Sequence, residues 1–209
     1  MTLSVHHLCV SASERILWLC EEMTLPYTLV KYARDPQTRM APPAYRALHP
    51  FGTAPVIEDD DLVLAESAAI VDYLLARHGK GGLVVDPADP AFADYLFWFH
   101  FANGSMLPGM TNELIVRRLG STLDAGRDRA GRAFALVEAR LEHSPYFAGD
   151  AFTAADIMMV FPLTTMRVFA PRDLAPYPHI RAYLQRIGAR PAYRAAMAKG
   201  DPQMTPLLV

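Results

Sequence analysis

The chain has 209 residues, 52% of them hydrophobic and 20% charged, with a formal net charge of −2 from 20 basic and 22 acidic side chains. That balance excludes intrinsic disorder and lacks the basic excess of a nucleic-acid binder. No apolar run approaches the roughly 18 residues of a membrane span, no signal peptide is visible, and two cysteines give no disulfide framework or metal-ligand spacing. The expectation is a cytoplasmic protein with no nucleic-acid partner, no membrane partner and no metal.

From the N-terminus, residues 2–8 read as a strand. Residues 13–24 read as a helix, because Ile16, Leu17, Leu19, Cys20 and Met23 recur at helical spacing. Pro26 ends it, since the residue before a proline avoids the helical region. Residues 27–32 alternate as a strand does, and 42–48 suit a short helix with prolines in its first turn. Two short strands follow, 55–57 and 62–64, joined by the hairpin turn of Asp59, Asp60 and Asp61. Residues 66–78 are helical and end at Gly79, Gly81 and Gly82. The order is β-α-β-α-β-β-α, with the last two strands antiparallel.

Residues 81–90 read as a linker between a mixed α/β domain, 1–80, and an all-α domain, 91–209. The second domain's helices are expected at 91–119, 123–141, 154–169, 177–189 and 191–199. Gly104 and Pro108 should bend the first of them. His100, in its aromatic run, is expected to be buried and hydrogen-bonded.

Pro55 opens a short β-branched run, and a proline cannot donate to a strand ladder. It fits where a strand begins, or where the backbone binds something other than a neighbouring strand. Glu66 and Ser67 then open an apolar helix, whose N-terminus suits an anion. A pocket for an extended peptide ending in a carboxylate would have these parts, and glutathione is such a peptide.

Four motifs carry a resemblance that spans essentially the whole chain: SASERILWLCEE at 11–22, HPFGTAPVI at 49–57, LAESAAI at 64–70 and FTAADI at 152–157. In this order they resemble the cytosolic glutathione transferase superfamily, in its bacterial and fungal serine-type branch. The resemblance implies a thioredoxin-like domain followed by an all-helical domain, glutathione as co-substrate, and a homodimer. The implied reaction is attack of a glutathione thiolate on an apolar electrophile, or reduction of a hydroperoxide, in the service of detoxification.

By the same resemblance, Pro55 follows a cis peptide bond and Ala54 offers its backbone to the cysteinyl unit of glutathione, a form of strand addition. Glu66 and Ser67 take the γ-glutamyl end. Thr53 stands where relatives carry a basic residue for the glycyl end, with Arg39 and His49 as replacements. Phe101, Met106 and Met110 line the electrophile pocket. Thr153, Asp156, Phe152 and Ile157 form a capping box and staple that serve folding.

A free thiol has a pKa of about 8.5, so the site must favour the thiolate. Ser11 aligns with the serine-type activator, and no tyrosine lies at 5–8. Ser11 with Glu14 also fits a capping box. Ser13 and Cys9 are the other candidates, Cys9 through thiol–disulfide exchange. Cys9, Val10, Ala12 and Thr53 depart from the pattern of relatives. They keep open a Cys9-dependent oxidoreductase and a glutathione- or ligand-binding protein without catalysis.

Overall fold

The computed structural model describes residues 3–79, 82–121 and 128–209. Thr2, Gly81 and residues 123–127, each assigned above to an element or its boundary, lie outside the described residues. Strand β1 (Leu3–Leu8), helix α1 (Glu14–Glu22), β2 (Thr28–Tyr32), α2 (Pro43–Arg46), β3 (Val56–Asp59), β4 (Leu62–Ala65) and α3 (Ser67–His78) follow in the expected order.

The sheet order is β2-β1-β3-β4. β1 runs parallel to β2 and antiparallel to β3, which runs antiparallel to β4. A parallel pair needs a crossover, and α1 supplies it. The hairpin closes through Asp60 and Asp61, with Asp60 at φ 51°, a left-handed geometry that aspartate tolerates. Ile16, Leu17, Leu19 and Cys20 of α1 are fully buried, as their spacing requires.

The chain divides into two units. The first takes the described residues up to 79 together with Ala189–Pro206; the second takes Gly82–Gly188 with Leu207–Val209. Helix α9 (Pro191–Gly200), placed by its sequence with the helical half, packs on α1 in the first unit. Trp18 meets the Tyr193 ring edge-on at 5.0 Å, and Arg190 forks onto Glu22 at 2.7 and 2.8 Å.

The second unit holds α4 (Phe92–Phe101), a π-helical turn (Ala102–Met106), α5 (Leu107–Arg118), α6 (Arg129–His143), α7 (Ala154–Leu163), a 3₁₀ turn (Thr165–Val168) and α8 (Pro178–Ala189). The π turn is the bend expected from Gly104 and Pro108: proline removes the amide that would bond back one turn, and the wider turn absorbs the mismatch. Every residue of α7 is buried. Its N-terminus carries the reciprocal capping box of Thr153 and Asp156. His100 is exposed, contrary to the expectation, because Tyr95, Trp98 and Phe99 take the inward face of α4.

Candidate functional site

The candidate site lies in the first unit, where three local features meet one sheet. The first is the start of β3. The Ala54-Pro55 peptide bond is cis. Ladder pairing of β3 begins at Val56, which faces His6 of β1 and Ala65 of β4. Ala54 therefore lies outside the ladder, and its side chain rests on the cluster of Leu8, Tyr45, Val56 and Ala65. That cluster fixes the segment without using the Ala54 backbone.

The second feature is the N-terminus of α3. Ser67 is buried at its first position, and Glu66 before it is exposed with φ 74°. A non-glycine residue rarely holds that geometry, and such strain gathers where a fold orients a ligand. Beneath it, Arg15 is fully buried and donates from a guanidinium nitrogen to the Ser67 hydroxyl at 3.1 Å. Burial brings the Arg15 pKa down to about 9, while the Glu14 and Glu66 charges oppose the fall. At neutral pH it is still a cation, set under a helix N-terminus. Both fields draw a carboxylate to the same place.

The third feature is the loop from β1 to α1. Ser11 is buried; its hydroxyl donates to the Leu8 carbonyl at 2.7 Å, lies 2.8 Å from the Ser13 hydroxyl, and accepts from the Ser13 amide at 3.3 Å. The residue preceding α1 is Ser13, whose side chain does not cap the helix. It instead contacts His7 Nδ1 at 2.8 Å. Val10 holds φ 54°, an outlier for a β-branched side chain. Two partners pin it: its amide donates to the Asp201 carboxylate at 3.0 and 3.2 Å, and its carbonyl accepts from Arg34 at 2.9 Å. Arg34 also bonds the Cys9 carbonyl at 2.9 Å.

Cys9 is half-buried, and its thiol pKa is raised, first by burial and next by the Asp201 charge, with Lys31 opposing. The thiolate is the reactive form, so this environment works against exchange chemistry. Burial pushes Cys20 up to about 12, which leaves it inert core.

The remaining candidates are more scattered. Thr53 and Arg39 are exposed, and Arg39 sits at φ 62° with its carbonyl held by Arg34 at 3.0 Å. His49 is half-buried and accepts from the Phe51 amide at 3.2 Å. In the second unit, Met106 and Met110 are 0% and 1% exposed and act as core. Phe101 lines a cavity of about 190 Å³ with Ser105, Arg129, Arg132, Ala133 and Leu136.

Asp201, Arg34 and the part played by His7 escaped the sequence reading. Asp201 meets His7 across 194 residues at 3.1 Å, and no local pattern announces such a contact. The two adjacent histidines were the sole sign, and neither has motif spacing.

Residues 11–77 match the family model described as the glutathione S-transferase N-terminal domain, and 97–191 match that of its C-terminal domain. Glutathione S-transferase 3 of Schizosaccharomyces pombe is 32% identical, over 93% of this chain and 86% of the relative. Glutathione S-transferase GstB of Escherichia coli K12 is 30% identical, over 87% and 90%. Among solved structures, a glutathione S-transferase from Actinobacillus pleuropneumoniae aligns with TM-score 0.87 at 32% identity, covering 98% of this chain and 97% of that one. A glutathione transferase homologue from Sulfitobacter, solved with bound glutathione, aligns with TM-score 0.76 at 26% identity over 95% and 98%.

Proposed function

The chain belongs to the cytosolic glutathione S-transferase superfamily, and from that premise we propose that Ser11 stabilises the thiolate of a glutathione held by Ala54, Glu66 and Ser67. The observation that carries the reading is the pairing, in one unit, of a cis Ala54-Pro55 bond outside the strand ladder with an α3 N-terminus backed by buried Arg15. The extended peptide pairs with the Ala54 backbone. Its γ-glutamyl carboxylate sits on Ser67 and the first amides of α3, and its ammonium faces Glu66. Arg39, His49 and Thr53 border the glycyl end.

The sulfur lies toward the loop before α1. To serve it, the Ser11 hydroxyl turns from the Leu8 carbonyl to the thiolate. The Leu8 carbonyl keeps a donor within reach, since the Ser13 hydroxyl lies 3.3 Å away. Glutathione loses its thiol proton to solvent, and the hydroxyl bond holds the charge left on sulfur. That sulfur attacks an apolar electrophile, or it attacks the terminal oxygen of a hydroperoxide, breaking the O–O bond so that the alcohol leaves and the resulting sulfenic acid condenses with a second glutathione to give the disulfide and water. The Phe101 cavity of the second unit is the candidate electrophile contact, while burial gives Met106 and Met110 a packing role.

Ser11→Ala should lose most turnover against an electrophile panel while glutathione affinity stays within a few-fold. Unchanged turnover removes Ser11 from the role. A homodimer accompanies this reading. β4 is the sheet's edge, Leu62 and Val63 on it are exposed, and Phe51 is 65% exposed, which is apolar surface that a second copy would cover. Sedimentation equilibrium at micromolar chain concentration checks it. No helix among the described residues is long and apolar enough to cross a membrane.

A further inference from the structure

Four close polar contacts run in line through the loop before α1. Asp201 Oδ2 lies 3.1 Å from His7 Nε2, and His7 Nδ1 lies 2.8 Å from Ser13 Oγ. Ser13 Oγ lies 2.8 Å from Ser11 Oγ, which bonds the Leu8 carbonyl at 2.7 Å. The line ends on His7 Nε2 and an Asp201 carboxylate oxygen, two donor atoms for a cation, 3.1 Å apart.

A third ligand type is close by. A ring nitrogen of His7, the Cys9 sulfur and an Asp201 carboxylate oxygen lie within 4.8 Å of one another. Cys9 and Asp201 line a cavity of about 360 Å³ with Val10, Lys31, Gly200, Pro202, Gln203 and Met204, so the cluster has an entry path and room for a fourth ligand. We propose that His7, Cys9 and Asp201 form a binding site for a thiophilic divalent cation of the zinc class, with a fourth coordination position toward this cavity.

The chemistry of the donors fits. A mixed nitrogen, sulfur and oxygen set with one open position is a zinc arrangement. Metal–ligand lengths of about 2.0–2.3 Å place the donor atoms about 3.2–3.6 Å apart, so the cluster closes by roughly an ångström. The surroundings are those of a ligating shell. With Nε2 on the ion, the ring proton sits on Nδ1 and donates to Ser13 Oγ, 2.8 Å away, and the Val10 amide orients the carboxylate. Binding displaces the Cys9 proton and forms the thiolate, whose charge with that of Asp201 balances the ion. The bound ion would tie the segment after α9 to β1.

The test uses the full chain, freed of metal by chelator and without glutathione, which binds zinc itself. Calorimetric titration with Zn²⁺ should show one ion per chain, with at least one proton released when buffers of different ionisation enthalpy are compared. Cys9→Ser should weaken binding ten-fold or more, and Asp201→Asn should also weaken it. Co²⁺ should give a sulfur-to-metal charge-transfer band that Cys9→Ser abolishes. If a variant fails to fold, the wild-type chain still decides: Zn²⁺ should slow alkylation of Cys9, with Cys20 as the inert control. No saturable binding would overturn the proposal. Binding of equal strength in folded Cys9→Ser, or unchanged Cys9 alkylation, would overturn it as well. None of these readouts depends on transferase activity.

Discussion

Replacing Asp156 by alanine tests a buried carboxylate of the second unit that accepts several hydrogen bonds. Its oxygens accept from the Thr153 amide at 2.9 Å, the Phe147 amide at 3.1 Å and the Tyr183 hydroxyl at 3.1 Å. All four residues are buried. Asp156→Ala strips three donors of their acceptor, and an unsatisfied buried donor costs about 1–3 kcal/mol. Water entering the small space left behind recovers part of that, so a loss of about 3–5 kcal/mol is expected. At about 2–4 °C per kcal/mol for a chain of this size, the melting point should fall by roughly 10 °C.

The acid limb gives an independent check. Burial raises the Asp156 pKa to about 6, against the pull of its hydrogen bonds. Since that is above its unfolded value of about 3.9, the native state binds more protons between about pH 4 and 6. The stability contributed by this shift is full below about pH 4 and lost as pH rises through 6. Urea denaturation of wild type and Asp156→Asn at pH 5 and pH 7.5 should show that slope in wild type and its absence in the variant. A loss under about 1 kcal/mol for Asp156→Ala, within the range of a single exposed cap, would refute the argument from three donors.

Other sites give shorter tests. Gly200→Ala should destabilise by about 1–3 kcal/mol, because its Cβ would stand 2.8 Å from Leu17 Cδ1 and 3.1 Å from His7 Nε2; chemical denaturation that matches wild type would contradict the close approach. Val10→Gly should stabilise by about 1 kcal/mol, since relief of a left-handed β-branched residue outweighs the added chain entropy; a lower melting point would show that the valine side chain is held by contacts stronger than its strain.

What the sequence made legible was local. Pro55, Glu66 and Ser67 sit in short motifs whose chemistry is set by immediate neighbours, and the structure keeps them at a strand start and a helix start. Gly104 and Pro108 announced a bend for the same reason. What escaped depends on distance or on crowding. An amphipathic helix such as α9 has the same pattern whichever unit it packs on, so its place on α1 was hidden. The exposure of His100 is hidden because the aromatic run leaves no polar period to read, and Leu96 and Phe97 on α4 are exposed despite their character. Ser11 looked like one end of a capping box, yet its hydroxyl is spent on Leu8 and Ser13. Asp201 could not be assigned, because its partners His7 and Val10 lie at the other end of the chain.

The most direct measurement of the central claim is a calorimetric titration of the purified chain with reduced glutathione near pH 7, repeated with Ser67→Ala. Saturable binding is expected at one site per chain, in the micromolar to low-millimolar range (about −8 to −4 kcal/mol), weakened by the variant. No detectable binding, or equal binding in Ser67→Ala, would contradict a site built on Ala54 and the α3 N-terminus.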